Sequence, residues 1–370
     1  MSRRVVASII SAVLAAAVLA APVTVASAQA VETGPGPVDI ERFGAEDRYA
    51  TSLQMAEAFV DGAGGSIENV VMVSAKHWYD AVVSAPLAAA LGAPVVMTPP
   101  DELRADTLAF LKQVNAKQVH VVSTGIGPHS NVSPQVHADL REAGFASLGT
   151  HGTDRYDTSV AITRRLFGIG GLTRFGRTAI IANGEVFADA LVAGPVASKL
   201  RLPVLLTPRD ELHPEVARYL QERDIAHVVL MGGTAALSED VEAVIRELGI
   251  TNIDRMAGKT RFDTATMTAR YVAAKFATGT VDVDCFDGTR VGLARGDVPF
   301  DAFSAAPLLA QLCASLVLTN PKALPDVTAQ FLDDARLTAS PDPLGLSVFG
   351  GDAAVSQSAL DAYLGIDREA

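Results

Sequence analysis

Pro203-Val204-Leu205-Leu206-Thr207-Pro208 is a short apolar run closed by a hydroxyl and bounded by proline on both sides. It is too short for a helix and has no polar alternation, so it reads as a strand buried on both faces. The same pattern stands at Pro94-Val95-Val96-Met97-Thr98-Pro99 and, altered, at Ser315-Leu316-Val317-Leu318-Thr319-Asn320. A strand written three times at wide spacing points to an internal repeat.

Three further blocks recur in the same order around it. Arg48-Tyr49-Ala50-Thr51 returns as Arg155-Tyr156-Asp157-Thr158 and Arg261-Phe262-Asp263-Thr264. Tyr79-Asp80-Ala81 returns as Ala188-Asp189-Ala190 and Phe300-Asp301-Ala302, each aspartate followed six residues on by Pro86, Pro195 or Pro307. Val229-Leu230-Met231-Gly232-Gly233 is matched by Ser347-Val348-Phe349-Gly350-Gly351. The blocks define repeat units at 42–148, 149–254 and 255–370, each large enough for a small domain. Residues 31–41, with Gly34-Pro35-Gly36-Pro37, read as a flexible leader.

The second copy shows the architecture. Apolar runs at Thr178–Ala182, Pro203–Leu206 and Val228–Met231 alternate with helical patterns at 158–167, 188–200, 211–223 and 238–248. Ser238 is expected to cap the last of these, followed by acids in its first turn. Continuous apolar strands between helices mean a parallel sheet covered on both faces, so each unit is a small doubly wound α/β domain. Ligands in such sheets bind beyond the carboxyl ends of the strands. With no long linker between units, pseudo-threefold packing is expected.

Before the repeats, Arg3 and Arg4 precede the apolar run 5–21, and Ala28-Gln29-Ala30 has the small-x-small form of a cleavage site. Residues 1–30 therefore read as a secretion signal, in preference to an uncleaved membrane anchor. No later stretch has the pattern of a membrane span. The formal net charge of −12 and pI near 5.0 argue against nucleic acid as a partner. The two cysteines, Cys285 and Cys313, permit one disulfide in an exported chain, the alternative being two buried thiols.

Taken as a set, the Arg-Tyr-x-Thr start, Phe187-Ala188-Asp189-Ala190-Leu191, the Pro-Val-Leu-Leu-Thr strand and the Val229–Gly233 ending resemble the cell wall-binding repeat type 2 family. The similarity covers about 42–366. It implies three Toprim-like α/β units packed as a trimer within one chain, hence a monomer. It implies a secreted protein retained at the wall by non-covalent binding to an anionic polymer, with no cofactor. The copies depart from the pattern unevenly. Copy 1 has Ser123-Thr124-Gly125-Ile126-Gly127 in place of the double glycine, and copy 2 has Gly149 where the others have Arg42 and Arg255.

Arg48, Arg155 and Arg261 are the strongest candidates for an anionic ligand, because a guanidinium offers a planar fork and each stands at a helix start. Their bland alternative is a salt bridge to Asp80, Asp189 or Asp301. The aspartates themselves are expected to offset helix dipoles. Those six residues and the strand-end Thr98, Thr207 and Thr319 form the expected ligand site. Tyr49, Tyr156 and Phe262 are expected at unit interfaces, and Thr51, Thr158 and Thr264 as N-caps, with Thr51 and Gln54 forming a capping box. There is no Gly-x-Ser-x-Gly or His-Glu-x-x-His motif, and none of the seven histidines recurs in all three copies, so neither catalysis nor a metal site is expected. A wall-acting hydrolase using the recurring aspartates is the competing function.

Overall fold

A computed structural model describes residues 36–171, 177–277, 285–298 and 300–366. The expected secretion signal at 1–30 lies outside these residues. Along the chain run β1 (Val38–Phe43), α1 (Arg48–Gly62), β2 (Asn69–Ser74), α2 (Tyr79–Ala90), β3 (Val95–Thr98), α3 (Ala105–Gln113), β4 (Gln118–Thr124) and α4 (Pro134–Glu142). The second pass is β5 (Ala146–Gly152), α5 (Arg155–Gly168), β6 (Thr178–Asn183), α6 (Ala188–Leu200), β7 (Val204–Thr207), α7 (Pro214–Glu222), β8 (His227–Met231) and α8 (Glu239–Glu247). The third is β9 (Asn252–Met256), α9 (Arg261–Ala277), β10 (Arg290–Arg295), α10 (Ala306–Leu312), β11 (Ser315–Thr319), α11 (Asp326–Ala339), β12 (Leu344–Phe349) and α12 (Gln357–Leu364).

The strands form three four-stranded sheets, ordered β3-β2-β4-β5, β7-β6-β8-β9 and β1-β12-β10-β11, and every pairing is parallel. The period-two alternation of each strand divides it between two cores. Ile180, Ala182, Val204, Leu206, Val229 and Met231 face the central core shared by all three copies. Their neighbours Ala179, Ile181, Leu205, Val228 and Leu230 face an outer core under α7 and α8. At the centre, α2, α6 and α10 pack on one another. Gly194 of α6 permits this approach, since a Cβ there would lie 2.9 Å from the Ala306 Cβ of α10.

The sequence units and the sheets are offset. The strand that opens each copy pairs with the sheet of the copy before it: β5 joins β4, β9 joins β8, and β1 joins β12 at the far end of the chain. This corrects the expected leader, because 38–41 form part of β1. The three opening strands carry no unbroken apolar run (Val38–Phe43 alternates Val-Asp-Ile-Glu-Arg-Phe), so they escape a search for buried strands. Phe43 closes the ring by stacking on Phe349, ring centroids 5.6 Å apart.

Cys285 and Cys313 form a disulfide, and no cysteine is free. It closes a loop of 28 residues. Chain-entropy reasoning puts such a loop at about 3–4 kcal/mol. Replacing both cysteines by alanine should lower the unfolding free energy by about that amount in urea titrations.

Candidate functional site

In each sheet the strand order reverses between the first and third strands, so the crevice opens beyond β2/β4, β6/β8 and β10/β12. The recurring arginines point there. Each is the first residue of its helix, α1, α5 or α9. Arg48 Nη1 donates to the carbonyl of Ala75 at 3.4 Å, Arg155 Nη1 to Gly184 at 2.7 Å, and Arg261 Nη1 to Gly296. Those carbonyls stand just after β2, β6 and β10.

Each guanidinium also lies over an aromatic ring of a neighbouring copy. Arg155 is 4.5 Å from the Tyr79 centroid, Arg261 is 5.7 Å from Phe187, and Arg48 is 3.8 Å from Phe300. The pattern is cyclic: copy 2 on copy 1, copy 3 on copy 2, copy 1 on copy 3. The three arginines thus mark the three junctions. Trp78, Phe187 and Phe303 meet edge-to-face between the copies, centroids 6.5 and 6.1 Å apart. Each arginine spends one donor on its carbonyl, and the rest of its fork has no hydrogen-bond partner among the described residues.

The aspartates do not form the expected salt bridges. No ion pair within 4 Å joins Asp80, Asp189 or Asp301 to any of these arginines. At the second junction the recurring threonine of the next copy, Thr264, lies beside Asp189 instead. At the first junction Thr124 intervenes, its hydroxyl 2.7 Å from Asp80 Oδ1 and 3.0 Å from Thr158 Oγ1. Asp80 also accepts from the Thr124 N–H at 3.2 Å and from Asn131 Nδ2 at 3.1 Å. In the other two copies the first glycine of the pair sits against the aspartate instead. Gly232 and Gly350 have φ of +102° and +100°, and a Cβ on either would collide with the carboxylate of Asp189 or Asp301. The double glycine is therefore a close-approach turn.

Burial raises the pKa of all three aspartates, and the neighbouring arginine opposes it only partly. Asp80, with no exposed surface, is pushed up to about 6. Its unfolded value is about 4. Between those values the native chain holds a proton that the unfolded chain has released. This group's stabilisation is therefore full below about pH 4 and is lost as pH rises through about 6. The span corresponds to roughly 2–3 kcal/mol. Asp80→Asn should flatten that component, measured as the difference between urea midpoints of wild type and variant at pH 4.5 and 7.

The other expected residues play structural parts. Thr98, Thr207 and Thr319 are wholly buried. Their hydroxyls donate to Glu102, Glu211 and Asn320 carbonyls at 2.9, 2.7 and 3.2 Å, which latches the loop after each strand and leaves no surface for a ligand. Thr51, Thr158 and Thr264 are not N-caps. They accept from the N–H of Ala45, Gly152 and Gly258, tying down the loop before the helix. The caps are Asp47 and Asp154, which accept from Ala50 and from Tyr156 and Asp157. The Thr51–Gln54 capping box is thereby excluded. Ser238 occupies an N-cap position but makes no capping bond. Tyr156 and Phe262 pack within their own copies: a Cβ at Gly184 would lie 2.5 Å from Tyr156 Cε1, and one at Gly296 2.8 Å from Phe262 Cε1.

Comparison with known proteins supports the repeat. The family model described as cell wall binding domain 2 matches residues 42–137, 150–242 and 255–360. The chain is 27% identical over 290 residues to the N-acetylmuramoyl-L-alanine amidase LytC of Bacillus subtilis (strain 168), covering 78% of this chain and 52% of the relative. It is 28% identical over 231 residues to the amidase enhancer of the same organism, covering 62% of this chain and 29% of the relative. Among solved structures, Cwp8 from Clostridium difficile superposes with a TM-score of 0.68 at 21% identity, covering 90% of this chain and 52% of that one. Cwp6 from the same organism gives 0.68 at 19% identity, covering 88% and 49%. The chain thus spans about half the length of LytC, Cwp6 and Cwp8, and less of the enhancer. The likeness to the two structures is one of fold.

Proposed function

Because the chain belongs to the cell wall binding domain 2 family, with all three copies matched, we propose that it is an exported, non-catalytic protein that attaches non-covalently to an anionic polymer of a Gram-positive-type wall. The observation that carries this reading is the set of three guanidinium groups, one at each junction. Each is held by a strand-end carbonyl and an aromatic ring, with the rest of its fork unengaged. A guanidinium oriented in that way is prepared for a phosphate or carboxylate without losing side-chain freedom on binding.

A net charge of −12 opposes an anionic ligand at long range, so recognition rests on these local positive clefts. No residue set dedicated to a cofactor is proposed. Three copies in one chain complete the ring, which supports a monomer, and the family match supports retention at the wall. No helix among the described residues is long and apolar enough to cross a membrane.

The raised pKa of the recurring aspartates is the observation that favours a second reading, acid catalysis on wall material. Against it, Asp80 has no exposed surface and its oxygens are engaged by three donors. Incubation with labelled peptidoglycan separates the two. Binding without released fragments supports attachment; fragment release that disappears in a folded Asp189→Asn/Asp301→Asn variant would establish the hydrolase.

A further inference from the structure

The repeat breaks at one place that the junction clefts do not use. Gly149 of β5 lies opposite Val121, in the register position that Arg255 takes opposite Leu230 and Arg42 takes opposite Val348. Those two arginines are clamps. Arg255 Nη1 donates to the carbonyls of Gly232 and Leu237 at 3.1 and 2.9 Å. Arg42 Nη1 donates to those of Gly350 and Val355, both at 2.9 Å. In copy 1 the corresponding loop is longer and holds itself, with the Asn131 N–H on Thr124 O at 2.8 Å and the Val132 N–H on Ser123 Oγ at 2.9 Å. The space of the missing side chain remains as a cleft of about 300 Å³ between α4 and β5.

The backbone does not demand glycine there. Gly149 is outside the left-handed region, and a Cβ would meet nothing nearer than His137 Cε1 at 3.6 Å and His151 Nδ1 at 3.9 Å. What changes alongside it is charge. In copy 2, Glu242 of α8 bridges Arg255 at 2.9 Å and Arg246 at 2.7 Å. Counted from the residues that precede the two helices, Ser133 and Ser238, Glu242 corresponds to His137 and Arg246 to Arg141. Copy 1 therefore keeps the outer arginine, exchanges its carboxylate for an imidazole, and adds His151 on the same face of β5. The side chains of Arg141 and His151 have no hydrogen bond or ion pair among the described residues, and His137 uses one ring nitrogen, Nδ1, on Ser147 Oγ at 2.8 Å. No carboxylate lines the cleft. The mutual proximity of these groups also shows in His137, whose pKa is lowered by burial first and then by Arg141 and His151.

We propose that this cleft, made by Gly149, His137, Arg141 and His151, binds a phosphate group, free or carried on a small polyol or sugar. The arginine fork and two imidazoles supply donors from α4 and from β5, which suits a tetrahedral oxyanion better than a planar carboxylate. The space exceeds one phosphate and leaves room for a substituent. The site is separate from the three junctions and stands or falls without them.

The test follows the histidine ring resonances of ¹³C-labelled full-length protein during titration with inorganic phosphate, sn-glycerol 3-phosphate and glucuronate. His137 and His151 are expected to shift with either phosphate. Tighter binding of the glycerol ester assigns the site to a polymer unit, and tighter binding of inorganic phosphate assigns it to the free ion. Gly149→Arg, which restores the clamp of the other copies, should abolish the shifts. Arg141→Ala, an exposed change that leaves the core intact, should weaken them at least ten-fold. Shifts with glucuronate alone, no shifts at all, or shifts that survive in both variants would overturn the proposal. Wall binding by Gly149→Arg should be retained wherever the junction arginines carry it, so loss of this site and loss of the junction reading are told apart.

Discussion

Replacing Arg48, Arg155 and Arg261 together by alanine should weaken co-sedimentation with purified walls by about 100-fold or more. A hydrogen bond to a charged group contributes about 1.5–3 kcal/mol. Loss at one cleft is then worth roughly ten-fold. Three clefts engaged by one polymer multiply the effect through effective concentration. Alanine also removes the stacking on Tyr79, Phe187 and Phe300 that joins the copies, so a lysine series is the control. Arg→Lys keeps the charge but loses the planar fork, and most of the binding should go while the thermal midpoint moves little. Normal binding by the folded triple-alanine variant would remove the arginines from the account.

Phe43→Ala should lower the unfolding free energy by about 3–5 kcal/mol, an effect out of scale with a residue near the start of the described chain. Phe43 is 5% exposed and stacks on Phe349. Its strand supplies the outer position of the third sheet, and its neighbour Arg42 clamps the Gly350 loop. Truncation there opens a cavity at the seam where the first strand meets the last, so the whole ring should loosen. Urea unfolding followed by circular dichroism measures it. A cost below about 1 kcal/mol would mean that the ring holds without its closing strand.

The three arginines and Phe43 show where the sequence is readable. The buried strands were legible because runs such as Val204–Thr207 are apolar on both faces. The edge strands β1, β5 and β9 were not, because one face meets solvent and polar residues or glycine interrupt them, as Asp39 and Glu41 do in β1 and Ser147 and Gly149 in β5. That omission hid the exchange of a strand between copies, and with it the order assigned to residues 36–41. At the site, recurrence singled out the arginines and aspartates. Their partners are set by tertiary packing: the ring under each guanidinium belongs to another copy, and the carboxylates of Asp80 and Asp189 meet threonines instead of arginines. The strand-end threonines recurred for a local reason, the loop latch, which recurrence alone does not distinguish from binding. The cleft at Gly149 leaves the opposite trace, a position where the repeat stops repeating. His137 gave no such signal, since its counterpart Glu242 differs in type, and Arg141, matched by Arg246, lies outside the four recurring blocks.

The central claim is that the junction clefts recognise an anionic wall polymer. Its most direct test is co-sedimentation of the wild-type chain with intact walls and with walls stripped of their acidic polymers, at low and high salt. The account predicts binding to intact walls that falls steeply with salt and is lost on stripped walls. Equal, salt-insensitive binding to both would contradict it and place recognition on the peptidoglycan itself.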